Sequence, residues 1–481
     1  MKFLHPEDER RELTYQDLFL MPKYSDVGSR MKVDLTPVDG VGTTLPIIVA
    51  NMMAVAGRRM AETVTRRGGL VVLPQDYSLE RIEQIVKYVK QCHHVFETPV
   101  VLEESESVQT ALNLIYKRAH GAIIVVDHQH RPVGIFTEAD AAMRDKFVTI
   151  GSVMTRDVVT VESYRTPQEI FQVLHNQRLP IVPVVYSDGS LAGVMTRKGT
   201  LRATMYKPAV NDKNEMLTAA AVGIREGVEE TVKRLMEIGV DVIVLDTAHG
   251  HQKKMLEAIR SIRAIVGPDR PLAAGNIVSE QAAKDFIDAG ANILKVGVGP
   301  GAVCTTRMMT GMGRPQFSAV YRTSQIARQH GAHVWADGGI RHPRDVALAI
   351  AAGASAAYFG SWWAGTYESP ADIQHDGDGG LFKENFGMAS RRAVKNRNEN
   401  QISVFDLAKK QYFEEGISHS KMYLKNREES AEDIIDHITA GLRSACTYAG
   451  ANNLEEFYQN AVVGVQSASG FYEGKALEGG W

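Results

Sequence analysis

The sequence predicts an α/β protein, a (β/α)₈ barrel into which a pair of smaller, similar units is inserted. Three observations lead to this fold class. Eight short apolar segments are bounded by Gly, Pro or Asp, and most neighbours are separated by enough chain for one helix. A repeated pattern interrupts that alternation between about residues 97 and 212. The chain of 481 residues is also too long for one ordinary hydrophobic core.

The eight apolar segments are the predicted barrel strands. Apolar residues recur at helical spacing in two of the later gaps, at 224–238 and 344–352. Strands that alternate with helices pair in parallel, and eight of them can close into a TIM barrel; a doubly wound open sheet is the alternative. The predicted strands are 46–51, 69–74, 218–223, 241–246, 271–275, 292–297, 332–337 and 356–360.

Composition argues against several classes of partner. The formal net charge of −3, from 54 basic and 57 acidic residues, gives no general attraction to nucleic acid or to a membrane surface. No apolar run reaches the roughly 18–20 residues of a membrane span, and the first residues lack the apolar core of a signal peptide. Only three cysteines occur, which excludes a disulfide scaffold and predicts a reducing, cytoplasmic location.

The inserted interval consists of two copies of one pattern, 97–154 and 155–212, so the barrel is expected to comprise 1–96 and 213–481. In each copy a helical segment precedes two strands. A loop insertion of this kind is by default a separate regulatory module, with a purely structural insertion as the alternative. The three segments are 107–120, 121–127 and 132–140 in the first copy, and 166–177, 179–185 and 191–199 in the second.

The two copies resemble tandem CBS domains, which sense adenosine nucleotides. In that family a Gly-x-x-Thr-x-x-Asp motif contacts ribose and phosphate. The first copy has Gly134, Thr137 and Asp140, whereas the second begins the motif with Gly193 but ends it with Gly199 in place of the aspartate. The resemblance implies a regulatory purine nucleotide, ATP or GTP, at the first copy and leaves binding by the second copy open.

A glycine-rich loop with a cysteine, at 297–307, follows the predicted strand 292–297. Barrel enzymes place catalytic loops at the carboxyl ends of their strands. Gly299 and Gly301 leave backbone groups free to approach a ligand or an ion. Cys304 lies near Arg307 in a polar setting that favours a nucleophilic thiolate, although an inert cysteine is the alternative for this loop taken alone.

Glycines also follow the next two strands, which predicts a phosphate site there. Barrels commonly bind phosphate with backbone amides and a short helix near the seventh and eighth strands. In the motif ADGGI at 336–340, Asp337 is suited to accept hydrogen bonds from ribose hydroxyls, with a turn or helix-capping aspartate as the alternative. The candidate phosphate ligands are Gly338, Gly339, Gly360 and Ser361.

The motif GPGAVCTTRMMTGMGRPQ at 299–316, together with ADGGI, resembles the IMP dehydrogenase/GMP reductase family, and the resemblance extends over essentially the whole chain. LTYQD at 13–17 and GLRS at 441–444 carry it further. It implies a barrel with a CBS insertion, assembled as a homo-oligomer, either a tetramer or an octamer. It also implies a purine mononucleotide substrate, GMP or IMP, whose C2 atom is attacked by Cys304.

The family performs two reactions, and a flap expected at 388–416 discriminates between them. IMP dehydrogenases carry an Arg-Tyr dipeptide there, as the base that activates water, whereas here Tyr412 follows Gln411. GMP reductases instead release ammonia with a Thr–Glu pair, which Thr306 and Glu415 match.

A second sequence feature favours the reductase. The motif CTYAGA at 446–451 is closer to reductases than to dehydrogenases, and its Cys446 is expected to be a buried packing residue. The resemblance therefore implies an NADPH-dependent GMP reductase of the CBS-bearing branch. The alternatives are an IMP dehydrogenase with an unrecognised base and a non-catalytic nucleotide sensor.

The resemblance assigns further positions one at a time. Those expected to contact the cofactor NADPH are Asp246, Thr247, Ala248, Gly297, Val298 and Gly299. Those whose carbonyls match a monovalent cation site, usually potassium, are Gly299, Gly301 and Cys304. The purine loop is matched by Gly387, Met388 and Ser390, and two residues bordering the substrate are Asn276 and Arg307.

The sequence departs from the family at three places. Ala302 stands where a phosphate-contacting serine is usual. NMMA at 51–54 and LPQD at 73–76 replace segments on the cofactor side, which leaves open how the extra phosphate of NADPH is recognised. The closely spaced His249 and His251 are expected to have no metal role.

Overall fold

The computed structural model describes residues 1–378, 380–387, 405, 409, 412, 420–424 and 430–475. Its strands in chain order are β1 Lys2–Phe3, β2 Leu18–Leu20, β3 Ile47–Val49, β4 Leu70–Leu73, β5 Val100–Glu103, β6 Ala122–Val126, β7 Pro132–Thr137, β8 Val161–Glu162, β9 Ile181–Val185, β10 Leu191–Thr196, β11 Ala219–Val222, β12 Val242–Asp246, β13 Leu272–Ile277, β14 Ile293–Val296, β15 His333–Asp337, β16 Ala356–Phe359, β17 Gln374–His375, β18 Leu381–Asn385, β19 Ser420–Tyr423 and β20 Val462–Val465.

The helices in chain order are α1 Arg58–Arg66, α2 Leu79–Gln91, α3 Val108–Ile115, α4 Pro167–Asn176, α5 Arg197–Met205, α6 Val228–Ile238, α7 Lys253–Val266, α8 Glu280–Ala289, α9 Thr306–Thr310, α10 Gln316–Gln329, α11 Pro343–Ala351, α12 Ser361–Ala364, α13 Ala431–Tyr448, α14 Leu454–Asn460 and α15 Ala468–Glu473. Among the described residues, no helix is both long enough and apolar enough to cross a membrane.

The eight predicted strands form one closed barrel in the order β3, β4, β11, β12, β13, β14, β15 and β16. All neighbouring pairs are parallel, and β16 pairs with β3 to complete the cylinder. The predicted (β/α)₈ barrel is therefore confirmed, and the open sheet is excluded.

Side chains alternate between the inside of the barrel and the surrounding helices, as the two-residue period of a strand requires. In β12, Val244 packs inside the barrel, whereas Ile243 and Leu245 pack in the layer shared with the helices. Trp335 fills the barrel interior near the amino-terminal ends of the strands, and it donates its indole N–H to Asp39 at 3.0 Å. This packing fills the amino-terminal end and leaves the carboxyl ends of the strands open for a site.

The helix between β11 and β12 begins later than its apolar spacing predicts. The expected segment is 224–238, but α6 starts at Val228 because Gly227 has a φ of +80°, a left-handed conformation outside the helix. Val232 and Leu235 then face the barrel and are fully buried.

The insertion folds as two similar units, each with a β-α-β-β order and a three-stranded sheet. The sheets are β5-β6-β7 and β8-β9-β10. They pack against each other through apolar side chains such as Ile124 and Val126 from the first unit and Ile181 and Val194 from the second. Phe96, expected in the barrel part, packs in the core of the second unit, so the insertion is structurally continuous with the segment before residue 97.

A buried ion cluster joins the first unit to barrel helix α1. Glu62 on α1 accepts hydrogen bonds from Arg66 at 2.5 Å and from Arg118 of the insertion at 2.7 Å. Tyr88 and Thr98 donate their hydroxyls to the same carboxylate. Burial alone would raise the pKa of Glu62, but Arg118 and Arg66 hold that pKa well below its usual range.

A second docking point lies between α5 of the insertion and α13. The Arg202 guanidinium lies 2.9 Å from Glu432, 2.5 Å from Asp433 and 2.8 Å from Asp436. Arg67, at the end of α1, contacts the same Glu432 at 2.6 Å. The insertion is thus held to the barrel by charge pairs that are largely removed from water.

Replacing Glu62 by Gln is expected to weaken the docking of the first unit. Glu62→Gln leaves Arg66 and Arg118 buried without their counter-charge, which costs about 3–5 kcal/mol in comparable pairs. We expect the midpoint of thermal unfolding to fall by roughly 5–15 °C. The control Asp288→Asn removes a solvent-exposed pair with Lys284 and should lower the midpoint by no more than about 2 °C. Equal shifts for the two variants would contradict this assignment.

Candidate active site

A cavity of about 460 Å³ opens at the carboxyl ends of the barrel strands. This volume is in the range of sites that hold small molecules. The cavity wall includes the cysteine-bearing loop and the turns that follow several barrel strands. The residues expected from the sequence that line it are Asp246, Thr247, Ala248, Asn276, Gly301, Cys304, Thr306, Asp337, Gly338, Gly339, Gly360, Ser361 and Gly387.

Four other expected ligand residues lie behind the cavity wall. The Gly297 carbonyl accepts from the Asn276 side chain at 2.6 Å, and the Val298 carbonyl accepts from Arg307 Nε at 3.1 Å. Gly299 has a φ of +79°, and a Cβ there would lie 2.5 Å from Arg307 Cγ. Packing therefore accounts for the glycine at 299, and the expected contact of Gly297, Val298 and Gly299 with the cofactor stays a prediction.

Arg307 braces the loop instead of pointing into the cavity. Besides Val298, it donates to the carbonyl of Arg314, at the far side of the same loop. Burial lowers the pKa of Arg307, while the nearby Cys304 acts in the opposite direction. Arg307 thus fixes the path of the loop that presents Cys304, and its expected contact with the substrate stays a prediction.

The remaining expected residues, Met388, Ser390 and Glu415, lie outside the described residues, as does most of the flap expected at 388–416.

The Cys304 thiol is exposed at the cavity and is placed beside a hydroxyl. Its Sγ lies 3.2 Å from Thr306 Oγ1, and Thr306 is the first residue of α9. The amide of Cys304 donates to the Gly301 carbonyl at 3.1 Å, which turns the loop back on itself. A nucleophile and a group that can relay a proton are therefore adjacent at the rim of the cavity.

The floor of the cavity is an ionic network centred on Lys295. From the interior face of β14, its Nζ lies 2.9 Å from Asp246 Oδ1, 2.8 Å from Asn276 Oδ1 and 2.5 Å from Asp337 Oδ2. Burial would lower the pKa of Lys295, but Asp246 and Asp337 outweigh that effect and raise it. Asn276 also donates to Asp337 Oδ2 at 2.7 Å.

Two further side chains complete this floor. Asn51, after β3, donates to Asp246 Oδ2 at 2.8 Å. Tyr358 on β16 donates its hydroxyl to Asn51 Oδ1 at 2.6 Å, and burial raises the pKa of Tyr358 strongly. The network therefore joins residues that come from β12–β16 and from the turn after β3.

Sequence reasoning missed Lys295 and Tyr358. A signal was present, because Lys295 is the one charged residue in the otherwise apolar strand Ile293–Val296. A lysine inside a buried strand requires compensating charge, and Asp246 and Asp337 at the ends of other predicted strands were available partners.

At the expected phosphate site, the structure shows which backbone amides are free to bind a phosphate group. The amides of Gly338 and Gly339 are engaged, donating to the carbonyls of Tyr358 and Pro300 at 2.9 and 3.2 Å. In the described part of the chain, the amides of Gly360 and Ser361, at the start of α12, make no backbone hydrogen bond. This pair fits a phosphate oxygen, in agreement with the free amides expected in the first turn of a helix.

The expected cofactor side lies after β12. Thr247 donates its hydroxyl to the His249 carbonyl at 3.0 Å, so it shapes this turn. His251 instead pairs with Asp285, with 2.8 Å between Nε2 and Oδ2. No cluster of three or more metal-binding side chains occurs among the described residues.

Comparison with known proteins gives a consistent result. The family model described as "IMP dehydrogenase / GMP reductase domain" matches residues 12–476. The chain is 51% identical to a GMP reductase of Mycobacterium tuberculosis strain H37Rv, with 100% of both chains covered. It is 35% identical to an inosine-5'-monophosphate dehydrogenase of Nitrosopumilus maritimus, over 96% of this chain and 97% of that protein.

Solved structures give the same relationship. A GMP reductase variant from Trypanosoma brucei in complex with guanosine 5'-monophosphate matches with a TM-score of 0.69 at 30% identity, covering 98% of both chains. The same enzyme in complex with guanosine 5'-triphosphate matches with a TM-score of 0.58 at 28% identity, covering 95% of this chain and 98% of that one.

Proposed function

The chain belongs to the IMP dehydrogenase/GMP reductase family, and from that premise we propose that it is a GMP reductase, which converts GMP to IMP and ammonia with NADPH. The observation that carries this proposal is the exposed Cys304 thiol, 3.2 Å from Thr306 Oγ1, at the rim of a cavity floored by Asp337. The activity is an oxidoreductase reaction of purine metabolism.

In the proposed mechanism Cys304 is the nucleophile. Its thiolate bonds to C2 of GMP, the bond from C2 to the exocyclic nitrogen breaks, and the protonated nitrogen leaves as ammonia. Thr306 is positioned to relay the proton, and Glu415 is its proposed source. When bound, NADPH supplies a hydride to C2. Breaking the C2–sulfur bond then releases IMP and restores the Cys304 thiolate.

Other cavity residues hold the two ligands in this proposal. Asp337 Oδ2 is fixed by Lys295 and Asn276, which leaves Oδ1 to accept ribose hydroxyls. Gly360 and Ser361 bind the phosphate through their amides. Asp246, Thr247 and Ala248 border NADPH, while Gly387, Met388 and Ser390 border the purine.

A bound potassium ion is a further part of the proposal, at the carbonyls of Gly299, Gly301 and Cys304. The Gly301 carbonyl already accepts one hydrogen bond, from the Cys304 amide. Since a carbonyl oxygen has two lone pairs, a second remains for a cation. The donor set of backbone oxygens fits a hard monovalent ion, and the ion would stiffen the loop that carries the nucleophile.

IMP dehydrogenase is the less supported activity. The identity to a reductase is 51% and that to a dehydrogenase is 35%. The stretch 388–416 contains no Arg-Tyr dipeptide to activate water for hydrolysis. The third alternative, a non-catalytic sensor, leaves the exposed Cys304 without a role.

We also propose that the two inserted units are CBS domains that bind a regulatory purine nucleotide, ATP or GTP. In the first unit Asp140 Oδ2 accepts from the Thr137 amide at 2.7 Å and from its hydroxyl at 2.8 Å, which clusters the motif's polar groups. The second unit lacks the aspartate, but a Cβ at Gly199 would lie 2.1 Å from Glu97 Oε1. The carboxylate of Glu97, which lies just before β5, thus occupies the place of the missing one.

We propose a homo-oligomer, a tetramer or an octamer, in the cytoplasm. The three cysteines Cys92, Cys304 and Cys446 are all unpaired, in keeping with a reducing compartment.

In the direct test, the purified protein is mixed with GMP and NADPH. The loss of absorbance of reduced nicotinamide and the release of ammonia are measured in the same reaction. We expect both signals in equal amounts for the wild type. Cys304→Ala should abolish both yet still bind GMP in a calorimetric titration, because only the nucleophile is removed. Formation of NADH from IMP and NAD, with no activity on GMP, would identify a dehydrogenase instead.

Glu415→Gln separates the two halves of the reaction. We expect ammonia release from GMP to slow by about 100-fold, since general acid catalysis is lost. Hydride transfer, measured as single-turnover formation of NADPH from IMP and NADP, should change far less. The matched control is Glu414→Gln, which should leave both rates near those of the wild type. Equal loss of both partial reactions in the first variant would refute the role of Glu415.

Nucleotide binding is tested by calorimetric titration of ATP and of GTP into the full chain. Asp140→Ala should raise the Kd of the nucleotide by at least about tenfold, because a charged hydrogen-bond acceptor is removed. Asp188→Ala, at an exposed turn of the second unit where it accepts from Ser190, is the control and should have no effect. Binding by neither the wild type nor the variants would leave the insertion with a structural role only.

A further inference from the structure

The proposed mechanism assigns its chemical steps to Cys304, Thr306 and Glu415, and the most buried charge of the site, Lys295, enters it only through its contact with Asp337. Lys295 is 3% exposed, and its ammonium contacts three oxygen atoms from three other strands. A lysine ammonium has three hydrogens. All three are directed to Asp246, Asn276 and Asp337, so none remains to donate to a substrate.

We propose that Lys295 is a positioning residue that ties the nucleotide side of the site to the cofactor side by holding Asp337 and Asp246 in fixed places. This inference rests on the proposed reductase function, because it assigns the two sides by that reaction. Asp337 is followed by Gly338 and Gly339 on the nucleotide side. Asp246 is followed directly by the turn with Thr247 and Ala248, on the cofactor side.

The network leaves each carboxylate a single defined orientation. Asp337 Oδ2 receives both Lys295 and Asn276, so the other oxygen faces the cavity. Asp246 receives Lys295 on Oδ1 and Asn51 on Oδ2. With both of its oxygens bound, Asp246 fixes the start of the turn after β12.

Repulsion between Asp246 and Asp337 explains why a cation is needed between their carboxylates. Two carboxylates within hydrogen-bond reach of the same point would repel each other in a poorly hydrated interior. The ammonium lies between them and also 4.6 Å from the centre of the Tyr358 ring, whose face favours a cation. Removal of the ammonium would let both acids turn away and would disturb both ligand sites at once.

The chain provides a matched control at the other end of the barrel. Lys90 on α2 lies 3.2 Å from Glu215 and 3.1 Å from Asp241, which precedes β12. It is also a largely buried lysine between two acids, but it is remote from the cavity. Lys295→Met and Lys90→Met therefore remove the same kind of interaction, one at the proposed site and one away from it.

The experiment measures KM for GMP, KM for NADPH, kcat and thermal midpoint for both variants, and the Kd of GMP without cofactor by calorimetry. Lys295→Met should raise both KM values and the Kd of GMP, with a loss in kcat/KM of about 100-fold. Lys90→Met should lower the thermal midpoint without changing either KM. Lys295→Arg keeps the positive charge and several donors, and should recover at least a tenth of the wild-type kcat/KM.

Two results would overturn the inference. One is unchanged KM values in folded Lys295→Met; the other is a rise in only one KM, which would mean that the two sides are not tied together. If Lys295→Met does not fold, Lys295→Gln decides, because it keeps a polar side chain but removes the positive charge: wild-type KM values with altered stability alone would reduce Lys295 to a structural residue. If the wild type neither binds nor turns over GMP, the proposed function fails, and this outcome is distinct from failure of the inference.

Discussion

Closure of eight parallel strands into one cylinder is the constraint on which the rest of this molecule depends. Closure brings the carboxyl ends of all eight strands to one mouth, and the two-residue period points every second side chain inward. Lys295, Asp246 and Asp337 come from strands separated by tens of residues, yet they meet within hydrogen-bond distance. The site is therefore a property of the closed barrel and not of any one segment.

The three cysteine thiols of the chain differ in reactivity because their surroundings differ. Burial raises the pKa of Cys92 to about 11 and that of Cys446 to about 12, so both remain protonated and inert. Cys304 is the exposed one, on a loop braced by Arg307 and next to the Thr306 hydroxyl. Reactivity is thus assigned by location, and the packing role expected for Cys446 agrees with its full burial.

The insertion is held to the barrel by charge pairs, of which those of Arg118 and Arg202 are largely buried. Arg118 contacts barrel helix α1, Lys117 contacts Asp372 just before β17, and Arg202 contacts the first turn of α13. The last two contacts lie on either side of the segment that contains β17, β18 and β19. Buried ion pairs require close geometry, because a displaced partner leaves an uncompensated charge. Movement of the inserted units would therefore disturb the buried pairs at α1 and at the start of α13, whereas the Lys117–Asp372 pair is exposed to water.

The sequence by itself determined the barrel, all eight of its strands, the repeated insertion and the cysteine loop, because alternating apolar runs and glycine-rich strand ends are local patterns. It also identified several of the residues that line the cavity, among them Cys304, Thr306 and Asp337. Only the tertiary structure decided three further features of the site. Arg307 braces the cysteine loop, the amides of Gly338 and Gly339 donate to backbone carbonyls of the protein, and Lys295 organises the floor of the cavity. The physical reason is that hydrogen-bond partners and compensating charges come from strands distant in the chain, and their pairing exists only once the barrel has closed.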